Sequence, residues 1–346
     1  MSLLTLLMCA GAAAQPIQNG RRPLSCPDPS VLRTHAGHYR YYLVCTSDFA
    51  PNAFPIRGSD NLHTWHPVGY VFPARRQPWW ALHSPSGRYW APALYRIRNH
   101  WVVYFAAQFN PAAVRLRLPG GRRVEPGTFV LGVASARSLD GPWRTRILHY
   151  RGEFNAIARQ PELYGGDIDP SSVQDPRTGE RYLFWAEQPS SIWAGKLSSN
   201  GLSLAPEIRQ VLKARANWEC RTPRGHCVIE GPEEVYRGGW FYLFYSGAST
   251  WTGTYAVGVA ASQNPLLSPF QPLRTTPDLH SGHGWIGPGG TSAPIVGPGG
   301  RTYILYHAET GPNRGHVSAD RYLFLSRITW QRSTPLYPRI GAGYPS

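Results

Sequence analysis

The chain is 346 residues long with a formal net charge of +15; 42% of its residues are hydrophobic, 13% aromatic and only 16% charged. That is ample apolar material for a large buried core and too little charge for a disordered or coiled-coil chain. Its 33 Pro and 36 Gly exclude a helix-dominated fold, because both residues break helix interiors.

Residues 1–14 read as the remnant of a secretion signal. An apolar stretch over 3–10 runs into Ala12 and Ala14, at the −3 and −1 positions of a cleavage site, without a charged n-region. The protein is therefore expected to be secreted, with residues 15–346 as its single domain. No later run of 18 apolar residues occurs, so no membrane span is expected in the mature chain. Cys9 leaves with the leader and four cysteines remain: Cys26, Cys45, Cys220 and Cys227. An even number in an exported protein points to two disulfides. Three pairings are open, of which the local one, Cys26–Cys45 and Cys220–Cys227, suits the hairpins described next. Metal-binding Cys or His spacings are absent.

Five stretches share one plan: a Pro near the start of an apolar strand, a polar turn, then an aromatic strand. They begin at Asp28-Pro29, Ala91-Pro92, Asp169-Pro170, Gly231-Pro232 and Ala293-Pro294. The partner strands start near Tyr39, Trp101, Arg181, Trp240 and Thr302, and third strands are expected over 56–59, 128–134, 191–196, 254–261 and 321–327. Short runs rich in Val, Tyr, Phe and Trp between turn residues are strand signatures, and a Pro at the first position removes no essential ladder donor. Units of this kind cannot bury both faces alone. The expected fold is all-β, a five-bladed β-propeller of four-stranded blades, whose first strands surround a central axis.

The positive charge is almost all Arg, scattered singly or in pairs such as Arg75-Arg76, with Lys only at 196 and 213. This fits a solvated basic surface and, second, attraction to an acidic polymer such as a uronic-acid-bearing polysaccharide. No nucleic-acid-binding pattern is present, and no nucleic acid is expected as a partner.

Asp28, Asp169 and Glu230 stand at the openings of the first, third and fourth units, while Ala91 and Ala293 hold the corresponding places in the second and fifth. A radial array brings such positions together at one end of the axis. Clustered carboxylates repel, and burial raises the pKa of one of them, which yields the protonated and ionised pair needed to cleave a glycosidic bond. Asp167, Glu233 and Glu234 are weaker candidates, the two Glu residues facing neighbouring blades. Asp48, Asp60, Asp140 and Asp175 sit at turns and are expected on the solvated surface.

Together, Cys26-Pro27-Asp28-Pro29-Ser30, Trp90-Ala91-Pro92, Ile168-Asp169-Pro170-Ser171, Glu230-Gly231-Pro232 and Gly287-Pro288-Gly289 resemble the motifs of glycoside hydrolase family 43. So does Gly132-Val133-Ala134-Ser135 followed by Gly141-Pro142-Trp143. That family comprises five-bladed α-L-arabinofuranosidases, arabinanases and β-xylosidases. The resemblance implies Asp28 as general base, Glu230 as general acid and Asp169 as the residue that raises the acid's pKa and orients it. It implies substrate-binding roles for Trp90, as an apolar wall, for Arg321 and for His307. The substrate is expected to be a pentose-bearing polysaccharide or oligosaccharide, cleaved with inversion by a monomeric enzyme that requires no cofactor. Inversion needs the two carboxyls ~6.5–9.5 Å apart. The family usually carries Glu where Ala93 stands, and often His near an axial calcium ion where this chain has Gly290; His283 and His307 are nearby substitutes. Trp79, Trp80, Trp218 and Trp251 are candidates for stacking on sugars. Two rivals are a fructan-cleaving propeller, suggested by Trp218-Glu219-Cys220, and a non-catalytic carbohydrate-binding propeller.

Overall fold

A computed structural model describes residues 15–48, 50–110, 112–113, 127–149, 166–187, 190–223, 225–250, 252–282, 284–310 and 321–341. The leader over 1–14 lies outside them, as do Trp251 and His283. The described residues form a two-stranded ribbon, Gln18–Asn19 with Arg22–Pro23, and five larger sheets, each a blade of antiparallel strands taken in sequence order.

Blade one comprises Ser30–Arg33, Tyr41–Val44, Ala53–Ser59 and His66–Phe72. Blade two comprises Tyr89–Ile97, His100–Gln108, Phe129–Ala136 and Arg144–His149. Asp167–Gln174, Arg181–Glu187, Ser191–Leu197 and Leu204–Lys213 form blade three. Ile229–Arg237, Trp240–Gly247, Ala256–Ser262 and Gln271–Pro272 form blade four. In blade five the inner strand is split into Trp285–Gly289 and Ile295–Val296, both paired to Thr302–Thr310; Tyr322–Gln331 and Tyr337–Ile340 follow outward. The fifth inner strand therefore starts earlier than the Ala293-Pro294 expected from sequence, and Gly287-Pro288 is its opening.

The core lies in the seams between blades rather than inside any one of them. Alternate residues of each second strand serve two different neighbours. Tyr182 and Phe184 pack toward blade four, whereas Leu183 and Trp185 pack toward blade two. Leu243 and Tyr245 face blade three, and Tyr242 and Phe244 face blade five. Because both faces are buried, these strands read as unbroken apolar runs such as YLFW and FYLFY. Each such side chain contributes about 1.5–3 kcal/mol by leaving water.

The ring closes through its N-terminus. Leu323 donates its N–H to Leu24 O (2.8 Å) and Cys26 donates to Arg321 O (2.9 Å), so residues before blade one lie along blade five. The Cys26–Cys45 disulfide then ties this strap to blade one, and Cys220–Cys227 pins the loop before blade four; both are the local pairs.

Candidate active site

One backbone device recurs in all five inner strands. The residue ahead of each proline is left-handed: Asp28 (φ 48°), Ala91 (42°), Asp169 (55°), Gly231 (60°) and Gly287 (59°). The ladder slips across each, between Trp90 and Ala93, Ile168 and Ser171, Glu230 and Glu233, and Ile286 and Gly289. In blade one the Thr46 N–H donates to Pro27 O at 2.9 Å ahead of the regular Ser30–Val44 pair. A left-handed non-glycine before proline is strained, and such bulges re-aim a side chain. Asp28, Ala91, Asp169 and Gly231 line one depression with Tyr255 and Gly290.

This pattern corrects the expectation of a single register for all three acids. Asp28 and Asp169 are equivalent. Glu230 stands one residue earlier, in the place of Pro27, Trp90, Ile168 and Ile286. The fifth member of the Asp28 set is Gly287, not Ala293.

Asp28 is held from three sides. Its Oδ2 accepts from Thr46 Oγ1 (2.7 Å), its Oδ1 accepts from Arg321 Nη1 (3.2 Å), and its N–H donates to His307 Nδ1 (3.1 Å). Burial pushes its carboxyl up, but the Arg321 guanidinium and these bonds outweigh that and hold it below the usual range. His307 is pushed down to about 3 by burial and by Arg321. It is therefore a neutral ring whose Nδ1 accepts. Asp169 goes the opposite way. Burial first, then the charges of Glu230 and Asp28, push it well above the usual range, while its Oδ2 accepts the Gly231 N–H at 2.9 Å. Glu230 accepts from Tyr255 Oη at 2.7 Å. The site thus brings together one carboxyl held ionised, Asp28, and one pushed to keep its proton, Asp169, beside Glu230.

Glycines at the end of blade five's first inner segment make room for these groups. A Cβ at Gly289 would lie 2.0 Å from the Tyr255 ring, and one at Gly290 would lie 2.5 Å from His307 Cε1 and 2.6 Å from Asp28 Oδ1. A histidine at 290 therefore has no space, because His307 from the adjacent strand already fills it. Among the described residues no three His, Cys, Asp or Glu side chains form a set that could hold a metal ion.

Trp90 is half-buried and stacks on Phe129 with ring centroids 4.1 Å apart. Its Nε1 donates to Asp48 Oδ1 at 2.6 Å, and the Arg88 guanidinium lies 5.9 Å from the indole centroid. Asp48 is thus not a solvated turn residue. Burial raises its pKa, and Arg321, Arg88 and Asp28 all act on it. Sequence reasoning missed Asp48, Thr46 and Tyr255. The available signal was position: Thr46 and Asp48 follow the second strand of blade one closely, and Tyr255 immediately precedes the third strand of blade four.

Arg321 lies beside Asp28, as described, and His307 is buried beneath the lining at 1% exposure. Glu233 and Glu234 do face neighbouring blades: the Ala293 N–H bonds Glu233, and Ser171 Oγ donates to Glu234 at 2.9–3.0 Å. Asp175 is buried under Arg177 rather than solvated. Glu219 is a structural carboxylate, accepting from the Arg215 and Ala216 N–H groups (2.6 and 2.8 Å) and from Tyr245 Oη (2.8 Å). Trp80 and Trp218 are buried in seams at 1% and 5% exposure and are unavailable to a sugar, whereas Trp79 is 64% exposed.

The sequence model of "Glycosyl hydrolases family 43" matches residues 14–335. The extracellular exo-α-(1→5)-L-arabinofuranosidase of Streptomyces chartreusis is 25% identical over 296 residues, covering 81% of this chain and 79% of that protein. A protein of the same name from Streptomyces avermitilis is 25% identical over 346 residues, covering 93% of this chain and 63% of that one. This chain thus spans less than two thirds of the second relative. The crystal structure of a thermostable family-43 glycoside hydrolase superposes with a TM-score of 0.72 at 22% identity, over 93% of this chain and 95% of that one. That likeness concerns the fold.

Proposed function

The chain belongs to the glycosyl hydrolases of family 43, and from that premise we propose that it is a secreted, inverting hydrolase of α-L-arabinofuranosyl linkages. β-Xylosyl linkages are the alternative. The observation that carries the reading is the electrostatic contrast at the site: Asp28 is held ionised by Arg321, while Asp169, beside Glu230, is pushed to keep its proton. An acid and a base at one pH are the requirement for glycosidic cleavage.

Glu230 donates its proton to the leaving glycosidic oxygen as the bond to the anomeric carbon breaks. A water attacks that carbon from the opposite face and gives its proton to Asp28, so the configuration inverts. Tyr255 holds Oε1 of Glu230. Asp169 has two effects on the acid: its bond to the Gly231 N–H fixes the backbone next to Glu230, and its proximity keeps the shared proton available. Trp90, braced by Phe129 and Asp48, provides an apolar face for the sugar.

The arabinofuranosyl preference draws on the two Streptomyces relatives, whose names state that activity and an extracellular location. The engagement of Glu219 in the wall of blade four argues against the fructan-cleaving reading. The test is turnover on aryl α-L-arabinofuranoside, aryl β-xyloside, linear arabinan and inulin, with the anomer of the first product followed by NMR. Inverted arabinose from the first substrate supports the proposal. Retained configuration, or no turnover on any pentoside, rejects it.

A further inference from the structure

A wide cleft lies away from the three carboxylates, on the rim between the outer strands of blades one and two. It measures about 970 Å³ including its open mouth, and Arg76, Trp79, Asp140, Trp143 and Arg144 are among its lining residues. Trp79 is the one tryptophan among the described residues that stands exposed, at 64%. The others are at least half-buried in seams or sheets, so the leading role of tryptophan here, seam packing, does not account for it. Trp143 forms a fixed second aromatic surface: its Nε1 donates to Leu139 O at 3.3 Å and its ring packs against the blade one–two core.

The chemistry of this lining is that of a sugar platform with cations beside it. Indole faces match the apolar faces of pyranose rings. Arg76 and Arg144 are exposed and face a single acid, Asp140, so the cleft carries a positive balance on a chain whose net charge is +15. Arginine pairs with carboxylates through a planar fork.

The cleft is also linked to the central depression. Segment 50–52 directly follows the stretch that carries Thr46 and Asp48. It is bonded to the cleft-forming segment 74–84 by Ala74 N–H to Asn52 Oδ1 (2.9 Å), Gln77 Nε2 to Pro51 O (3.0 Å) and Ser84 Oγ to Ala50 O. A polymer held on Trp79 would rest on a segment bonded to the loop whose Thr46 and Asp48 hold Asp28 and Trp90.

We propose that the rim cleft formed by Trp79, Trp143, Arg76 and Arg144 binds a uronic-acid-bearing glycan chain, holding the enzyme on an acidic polysaccharide. Carboxylates of the chain pair with the two arginines and a ring stacks on Trp79. This site goes beyond the proposed pentose chemistry and does not depend on it, because binding is read without turnover.

The test measures binding of the full chain to polygalacturonate and to neutral linear arabinan by isothermal titration, at about 20 mM and about 200 mM salt. Variants are Trp79→Ala and the double Arg76→Ser, Arg144→Ser, all at exposed or rim positions, with melting curves to confirm folding. The expected result is polygalacturonate binding that weakens with salt, that falls about tenfold or more in each variant, and that exceeds binding to arabinan. Aryl-glycoside turnover should stay within about twofold of the parent. Unchanged polygalacturonate binding in the variants would assign the attraction to the scattered arginines and overturn the site. So would equal affinity for arabinan, absence of binding, or self-association by sedimentation that Trp79→Ala abolishes.

Discussion

The Nδ1 of His307, on the last blade, accepts the backbone N–H of Asp28, on the first, at 3.1 Å. This bond spans the seam where the ring closes, and it holds a strained left-handed residue from the backbone side while Thr46 and Arg321 hold its carboxylate. His307→Ala leaves that N–H without its acceptor, and should lower kcat about tenfold or more while KM changes little. His307→Gln, which restores an acceptor, should recover part of the loss. Equal kcat for both variants and the parent would show that the bond does not position Asp28.

Asp28→Ala and Glu230→Ala should each reduce kcat/KM by about 10²–10⁴, the range a positioned acid or base contributes. Their far-ultraviolet circular dichroism should be unchanged. Either variant retaining near-parental turnover on a good aryl substrate would remove that residue from the proposed mechanism.

Arg321 sets the ionisation of the base. Replacing it with Gln removes the nearby cation, so burial is no longer outweighed and the Asp28 carboxyl rises. The acidic limb of the kcat/KM profile should then move to higher pH. A limb that stays in place while the rate falls would give Arg321 a substrate-contacting role alone.

Asp48→Ala should raise KM about tenfold through loss of its charged hydrogen bond to Trp90. Asp48→Asn keeps an acceptor oxygen and should lie near the parent. If Ala and Asn behave alike, the carboxylate's charge rather than its hold on the indole is what matters.

Glu234 is buried and pushed up to about 8. Its folded value exceeds the unfolded one, so the folded chain binds the extra proton between about pH 4.3 and 8. The stability it contributes is complete below the unfolded value and is lost as pH rises through about 8. Glu234→Gln should be close to the parent at pH 5 and more stable at pH 8.5, by on the order of 2–4 kcal/mol. Thermal melts across that range test this, and a constant difference would place the ionisation elsewhere.

Composition and repetition were sufficient to read the five blades, because a second strand buried on both faces must be apolar throughout and a proline recurs near the start of each inner strand. The two local disulfides and the three acids were legible for the same reason: each lies within or beside a repeated unit. Other features depended on the closed ring. The one-residue offset of Glu230 is a matter of ladder slip, which pairing reveals and spacing does not. Asp48 looked like a turn residue until blade two brought Trp90 against it, 42 positions along the chain. His307 and Arg321 meet Asp28 across separations of 279 and 293 residues. Sequence patterns report what a strand requires of its own neighbours. The charge state of a carboxyl depends instead on burial and on whichever distant side chains the closing of the propeller places within a few ångströms of it.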